Sequence, residues 1–163
     1  MRKIFIVIVM LLISGCMIAN TPTSLVEEYL GKYQRLDDDI NISYVQLSID
    51  ENIDNNYKER YKKLIEKQYK SLAYEVKDEE IDGDMSYVTV QIEVYDYKEI
   101  LDRYEKNNYD DLGSYHKFIL DEFEKQKDKI TYTINFEVGK NDKDEWEVLE
   151  LSLDDYEKLL GIN

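Results

Sequence analysis

Hydrophobic and polar positions change their period along the chain, and each change indicates a different element. Apolar side chains first recur every three or four residues, which predicts a helix over 24–36 with Ser24 as N-cap and Glu27 completing a capping box. A second stripe of this kind predicts a helix over 55–71. Residues 37–54 between them hold no constant period, so we expect a loop or short irregular structure there.

The period then falls to two. Residues 73–81 and 85–97 alternate on either side of Asp82-Gly83-Asp84, and an Asp-Gly pair between alternating runs predicts a β-hairpin. One face of the second strand carries Val88, Val90, Ile92 and Val94, and the other carries Tyr87, Thr89, Gln91, Glu93, Tyr95 and Tyr97.

The remaining chain repeats this plan of helices followed by a strand pair. It predicts helices over 99–107 and 114–128, strands over 130–138 and 146–153, and a helical turn over 154–160 that Gly161 ends as C-cap. Adjacent strand pairs separated by helices indicate an α+β fold rather than a parallel sheet. We therefore expect residues 24–163 to form one domain, with helices packed against a curved antiparallel sheet made of two hairpins.

The N-terminus has the pattern of a secretory signal. Arg2 and Lys3 precede an unbroken apolar run over 4–13, and small residues follow it. This run is too short for a mature membrane span, which needs about 20 apolar residues. The alternative interpretations of this segment are an ordinary secretory signal with an incidental cysteine, or a short buried helix.

The tetrapeptide Ile13-Ser14-Gly15-Cys16 resembles the bacterial lipobox. The resemblance implies that the Cys16 thiol receives a diacylglyceryl group and that a signal peptidase cleaves before it. Residues 1–15 are then a removed signal peptide and residues 16–23 a lipidated tether. We expect the protein to be anchored through Cys16 to the outer face of the cytoplasmic membrane.

Composition narrows the classes of partner and site. Lys and Arg number 21 against 36 Asp and Glu, so the net charge is −15 and the chain would repel nucleic acid. One cysteine and one histidine exclude an intramolecular disulfide framework, a cysteine-rich zinc module and a multi-histidine metal site. The acidic stretches 37–39 and 141–145 lack the ligand spacing of a calcium loop.

No catalytic constellation stands out along the chain. His116, the single histidine, is predicted to lie beside the apolar stripe Tyr115/Phe118/Ile119 and hence on the surface. The six glycines are scattered rather than clustered before a helix, so no phosphate-binding loop is indicated. We expect no catalytic residue, no metal site and no cofactor.

The abundance of tyrosine is the unusual feature, with 15 in the chain. Tyr87, Gln91 and Tyr95 share the strand face opposite the valines, and Thr131, Thr133 and Asn135 are expected on the same face of a later strand. Tyrosine offers a large contact area and a hydrogen-bonding tip, so Tyr87, Gln91 and Tyr95 form our candidate recognition surface. The plainer alternative is a half-exposed sheet face that follows from the strand preference of tyrosine and threonine.

Several segments together resemble small secreted lipoproteins of Gram-positive bacteria with a nuclear-transport-factor-2-like domain. They are V-E-E-Y-L-x-x-Y, I-D-G-D, Y-V-T-V-Q-I-E-V-Y-D-Y, I-T-Y-T-I-N-F and W-x-V, within residues 24–162. The resemblance implies a cone in which helices pack inside a curved sheet, and it transfers no functional residue.

Two functions remain open from the sequence. The first is a non-catalytic module that binds a protein, a peptide or an envelope component. The second is an enzyme of the ketosteroid-isomerase style, which needs a buried carboxylate of raised pKa and a tyrosine donor inside an apolar pocket.

Overall fold

A computed structural model describes residues 20–43, 46–47, 53–105 and 111–163. The predicted signal peptide and residues 16–19 of the predicted tether, Cys16 among them, lie outside the described residues. The described elements are, in chain order, α1 (Pro22–Arg35), α2 (Asn55–Lys70), β1 (Ala73–Asp82), β2 (Met85–Tyr95), α3 (Lys98–Glu105), α4 (Leu112–Lys125), β3 (Lys129–Lys140), β4 (Trp146–Val148) and α5 (Leu153–Leu160).

The predicted α+β class is confirmed. The four strands form one antiparallel sheet in the order β1-β2-β3-β4. β1 pairs with β2 and β3 with β4, as the two predicted hairpins, and β2 pairs with β3 across the crossover through α3 and α4.

Strand alternation divides the sheet into a buried and an exposed face. The inward side chains of β2 are fully buried, as predicted, and those of β3 join them in the core; the set is Val88, Val90, Ile92, Val94, Ile134, Phe136 and Val138. Helix side chains such as Leu30, Ile65 and Phe123 pack on this face. Thr131, Thr133 and Asn135 lie on the opposite face and are exposed, as the period of two requires.

A β-bulge resets the alternation of β1. The register shifts between Val76 and Asp78, so Lys77 has no counterpart on β2. Glu79 consequently faces inward opposite Val88. Its carboxylate accepts a hydrogen bond from the backbone N–H of Thr23 at 3.1 Å and another from the Thr23 hydroxyl. The bulge therefore lets β1 anchor the first turn of α1.

The first helix starts earlier than the sequence pattern predicts. Its N-cap is Thr21 rather than Ser24, and Ser24 instead completes the capping box with Thr21. Pro22 at the first helical position explains the shift, because its fixed φ favours the first turn and it lacks the N–H that would need a partner. Glu27 takes no part in this cap.

Two strands are shorter than the sequence pattern predicts. The prediction that Tyr97 lies on the outer face of the sheet is also wrong. β2 ends at Tyr95, because the N–H of Tyr97 donates to the carbonyl of Gly161 at 2.9 Å instead of continuing the ladder. The Tyr97 side chain is not exposed on the outer face of the sheet: it is fully buried, with its ring against Phe123 and stacked on Tyr95 at 6.2 Å between centroids. β4 ends at Val148 rather than at residue 153, since Ser152 caps α5.

The hairpin between β1 and β2 has the predicted turn. Asp82 pairs with Met85, so the loop consists of Gly83 and Asp84. Gly83 has a φ of 61°, at the first central position of the turn, where a type II′ hairpin requires glycine.

Candidate functional site

The candidate recognition surface lies on the exposed face of the sheet. In the described part of the chain the helices pack on the opposite face, and the central row of this surface is polar. Thr89 on β2 donates from its hydroxyl to the side-chain oxygen of Asn135 on β3 at 3.0 Å. Gln91 is opposite Glu75 on β1 and Thr133 on β3.

Tyr87 is the most prominent side chain of this surface. It is 41% exposed and is opposite Glu80 on β1 and Glu137 on β3. Within the described residues neither carboxylate forms an ion pair. A ring face between two uncompensated carboxylates attracts a cation, through the ring quadrupole and through charge.

Gln91 lies at a shallow depression near the end of the sheet where β1 and β3 begin. The depression has a volume of about 250 Å³. Its described lining is Ala73, Tyr74, Glu75, Gln91, Ile92, Glu93 and Thr131. These residues belong to three adjacent strands, so the depression follows from strand pairing and twist rather than from a loop. Its lining combines apolar residues with the carboxylates of Glu75 and Glu93, and it lies open to solvent.

Tyr95 is already engaged within the protein. The ammonium of Lys67 lies 4.4 Å from the centroid of its ring, and that of Lys129 lies 5.7 Å from it. Since Tyr87 and Tyr95 are eight residues apart on one strand, they are separated by roughly 26 Å. The sequence placed Tyr87, Gln91 and Tyr95 on one face, and the structure spreads them along its full length.

Four tyrosines and one glutamine meet on the helix side of the molecule, and the sequence pattern did not connect them. The hydroxyls of Tyr29 and Tyr33 lie 3.1 Å apart, those of Tyr69 and Tyr156 lie 3.0 Å apart, and Gln46 donates to Tyr156. The Tyr33 and Tyr69 rings form an edge contact with centroids 4.9 Å apart. Only the helical spacing of Tyr29 and Tyr33 signals this cluster, because Tyr156 comes from the far end of the chain.

This tyrosine cluster borders a second cleft of about 410 Å³. Its described lining is Tyr29, Tyr33, Glu150, Leu151, Leu153 and Tyr156. Burial is the main cause that raises the pKa of Tyr33 and of Tyr69 above the usual range, so both phenols are neutral at physiological pH. The cleft offers neutral hydroxyls and apolar side chains at its wall.

His116 is buried, which corrects the prediction that it lies on the surface. It is 2% exposed, and its Nδ1 lies 2.9 Å from the hydroxyl of Tyr61. The buried stripe of α4 is His116, Ile119, Leu120 and Phe123. The predicted stripe was rotated by about one residue, because Tyr115 and Phe118 look more apolar than histidine although they are only partly buried.

The enzyme alternative requires a buried carboxylate, and the described residues contain none. Their buried polar side chains are Gln68, Ser86, His116 and Gln126. The carboxyl pKa values that shift are lowered, as at Asp121, where hydrogen bonds from Lys117 and Arg60 stabilise the ionised form. In the same part of the chain no three potential ligand residues cluster closely enough to hold a metal ion.

The helix α2 is basic, although the net charge of the chain is negative. It contains Lys58, Arg60, Lys62, Lys63, Lys67 and Lys70 against two glutamates. A cleft of about 470 Å³ is lined by Lys63, Glu66, Lys67, Lys70 and Ser71. The charge of the domain is therefore polarised between this helix and the carboxylates of the sheet.

None of the helices that the structure describes is long and apolar enough to cross a membrane. Comparison with protein-family models, with curated proteins and with solved structures finds no match to this chain. The chain is thus a small α+β protein with a four-stranded antiparallel sheet, and its function has to be argued from its own residues.

Proposed function

We propose that this protein is a lipoprotein, anchored through Cys16 to the outer face of the cytoplasmic membrane, whose domain is a non-catalytic binding module. The observation that carries the anchoring is the sequence Ile13-Ser14-Gly15-Cys16 after a basic and apolar leader. It supplies an aliphatic residue, two small residues and the single cysteine of the chain in the required order.

The exposed sheet face is the binding surface of this proposal, with Tyr87, Gln91 and Tyr95 along it. Tyr87 between Glu80 and Glu137 favours a partner that presents a lysine or arginine side chain. The polar row beside Gln91 offers hydrogen bonds to an extended segment of such a partner. A protein or peptide of the cell envelope fits these requirements, and the proposal needs no cofactor.

The proposal also takes the domain to be nuclear-transport-factor-2-like. The support is the sequence resemblance together with helices on one face of an antiparallel sheet that contains a bulge. The cone that the resemblance implies has an inner sheet face against which its helices pack. Here the inward side chains of β2 fill that face with apolar contacts.

Anchoring is tested by Cys16→Ser in intact cells. We expect the variant to keep its signal peptide and to lose the lipid, as intact mass and partitioning into a detergent phase would show. Ser14→Ala is the matched control, because it keeps a small residue at the same site and should leave processing unchanged. Identical mass and partitioning for Cys16→Ser and the unaltered protein would contradict the anchor.

Binding is tested by placing a photo-crosslinking residue at Tyr87, at Gln91 or at Tyr95 on intact cells. We expect positions 87 and 91 to capture the same partner, and Glu80→Gln with Glu137→Gln to reduce the yield severalfold. A crosslinker at Lys70, on the basic side, is the control. Equal capture from Lys70, or yield that is insensitive to the two carboxylates, would refute this surface.

A further inference from the structure

Among the described residues, only β4 pairs with the outer edge of β3, and it covers one end of that edge. β4 pairs only with Val138–Lys140, and the last bond between them is from the N–H of Leu149 to the carbonyl of Glu137 at 2.9 Å. Because backbone groups alternate sides along a strand, the N–H and C=O of Thr131, Thr133 and Asn135 point to the same edge as those of Glu137. No described residue forms a hydrogen bond with these backbone groups.

This edge lacks the features that keep sheet edges from pairing with other chains. The segment Ile130–Phe136 contains no charged residue, no proline and no glycine. The opposite edge of the sheet, β1, is bulged at Lys77 and carries several carboxylates, which are common protections of an exposed strand. An open edge of high strand propensity beside a protected one indicates a surface that pairs with another strand.

The sequence of the open edge is a palindrome centred on Tyr132. Ile130-Thr131-Tyr132-Thr133-Ile134 is the same in both directions. Two such strands that run antiparallel about a two-fold axis place like residues opposite each other, and threonine pairs and aromatic pairs stabilise neighbouring strands. We propose that a second copy of this chain pairs with this edge, β3 against β3, about an axis at Tyr132.

This register uses the open edge without reaching β4. Thr131 is opposite Thr133 of the second copy, and both have outward backbone groups, so they exchange a pair of hydrogen bonds. Lys129 is opposite Asn135 of the second copy, so no like charges meet. The two copies, each with a net charge of −15, thus approach along an uncharged strand. Ile130 and Tyr132, which are half-buried on the inner face, become more buried when the second copy pairs with this edge.

Cysteine cross-linking tests the register in the full chain, purified from membranes in detergent. Thr131→Cys and Thr133→Cys are made separately, then oxidised alone and as a mixture. Opposed residues have Cα atoms about 5.5 Å apart, which suits a disulfide, whereas each variant against itself is offset by two residues, to about 8 Å or more. We expect the mixture to cross-link at least fivefold more than either variant alone.

The controls separate this pairing from collision. The unaltered chain reports any cross-link through Cys16, and Glu75→Cys on β1 reports random encounter at the protected edge. If the mixture does not exceed the single variants, or if all of them match Glu75→Cys, the proposed pairing is wrong. The result does not depend on lipid anchoring, since the unaltered chain is measured in the same preparation.

A backbone variant tests the same edge without cysteine. Thr133→Pro removes an outward N–H and leaves the bonds between β2 and β3 intact, whereas Thr133→Val keeps the N–H. Sedimentation should show a concentration-dependent doubling of mass for Thr133→Val and a monomer for Thr133→Pro. Circular dichroism verifies that Thr133→Pro is folded. A dimer that persists in folded Thr133→Pro would overturn the proposal, and so would capture of a foreign peptide strand alone.

Discussion

Gln68 joins two parts of the chain that are far apart in sequence, and its removal should weaken the fold more than any surface change. The side chain is fully buried. Its amide N–H groups donate to the carbonyls of Tyr95 and Leu160 at 2.9 and 2.8 Å, and its oxygen accepts from the N–H of Tyr95 at 2.9 Å. The end of β2 and the end of α5 are thus held together through one amide.

The cost of Gln68→Met follows from these three bonds. Each buried hydrogen bond contributes about 0.5–1.5 kcal/mol, and a buried backbone group left without a partner costs about 1–3 kcal/mol. The carbonyl of Tyr95 keeps the N–H of Tyr97 at 3.1 Å, so two backbone groups rather than three are left unpaired. We expect a loss of about 3–5 kcal/mol in the free energy of unfolding.

Urea unfolding followed by circular dichroism measures this loss, with Gln34→Met as the matched control. Gln34 is half-buried and donates a single bond, to the carbonyl of Leu72 at 2.7 Å. Its replacement should cost about 1 kcal/mol. If Gln68→Met costs no more than Gln34→Met, the amide of Gln68 does not hold the two chain ends together and the reasoning is refuted.

Gln68→Glu adds a dependence on pH with a defined sign. The introduced carboxylate would face the carbonyls of Tyr95 and Leu160 away from water, so folding raises its pKa above the value of about 4.3 in the unfolded chain. The protonated form can still donate one bond. The deficit relative to the unaltered protein should therefore be smallest near pH 4 and grow as the pH rises to 7. A deficit independent of pH would contradict this environment.

Two further predictions concern backbone and core. Gly161→Ala should destabilise the domain by about 3 kcal/mol or more, because φ is 72° and a Cβ would lie 2.0 Å from the carbonyl of Tyr95, whereas Gly83→Ala, with open space around it, should cost about 1 kcal/mol. Thermal melts compare the two. Tyr61→Phe should cost about 1–2 kcal/mol, because it removes the hydroxyl that bonds His116, and equal stability in urea would contradict that bond.

Local physical rules made the elements predictable. The change of period from helical to two marks β2 and β3, and the structure buries Val88, Val90, Ile92 and Val94 as the alternation requires. Asp82-Gly83 predicts a hairpin, since only a residue that tolerates positive φ fits its first central position. Of the candidate site, the sequence could predict that Tyr87 shares an exposed face with Gln91, because side-chain direction along one strand is a local property.

The positions of Tyr97 and His116 and the neighbours of Tyr87 depend on contacts between segments that are distant in sequence. Tyr97 alternates in phase with Tyr95, yet the carbonyl of Gly161 ends the strand before it and places it in the core. Tyr87 acquires Glu80 and Glu137 as neighbours only when three strands align in register. Likewise, α4 packs against α2 through the stripe that includes His116. Because histidine is less apolar than its neighbours, the sequence pattern does not show that this stripe is buried.

Four features follow from the amino-acid sequence without the fold: the period of each segment, the turn at Gly83, the net charge of −15 and the tetrapeptide that ends at Cys16. The period, the turn and the tetrapeptide each depend on residues within a few positions of one another, and the net charge is a sum over the whole chain. Contacts between distant segments decide which sheet edge the described residues leave unpaired, where Tyr97 and His116 are buried, and how Gln68 links β2 to α5. The physical reason is that these contacts join segments far apart in sequence, up to 92 positions for Gln68 and Leu160. Local propensity depends only on neighbouring residues, so it carries no information about such contacts.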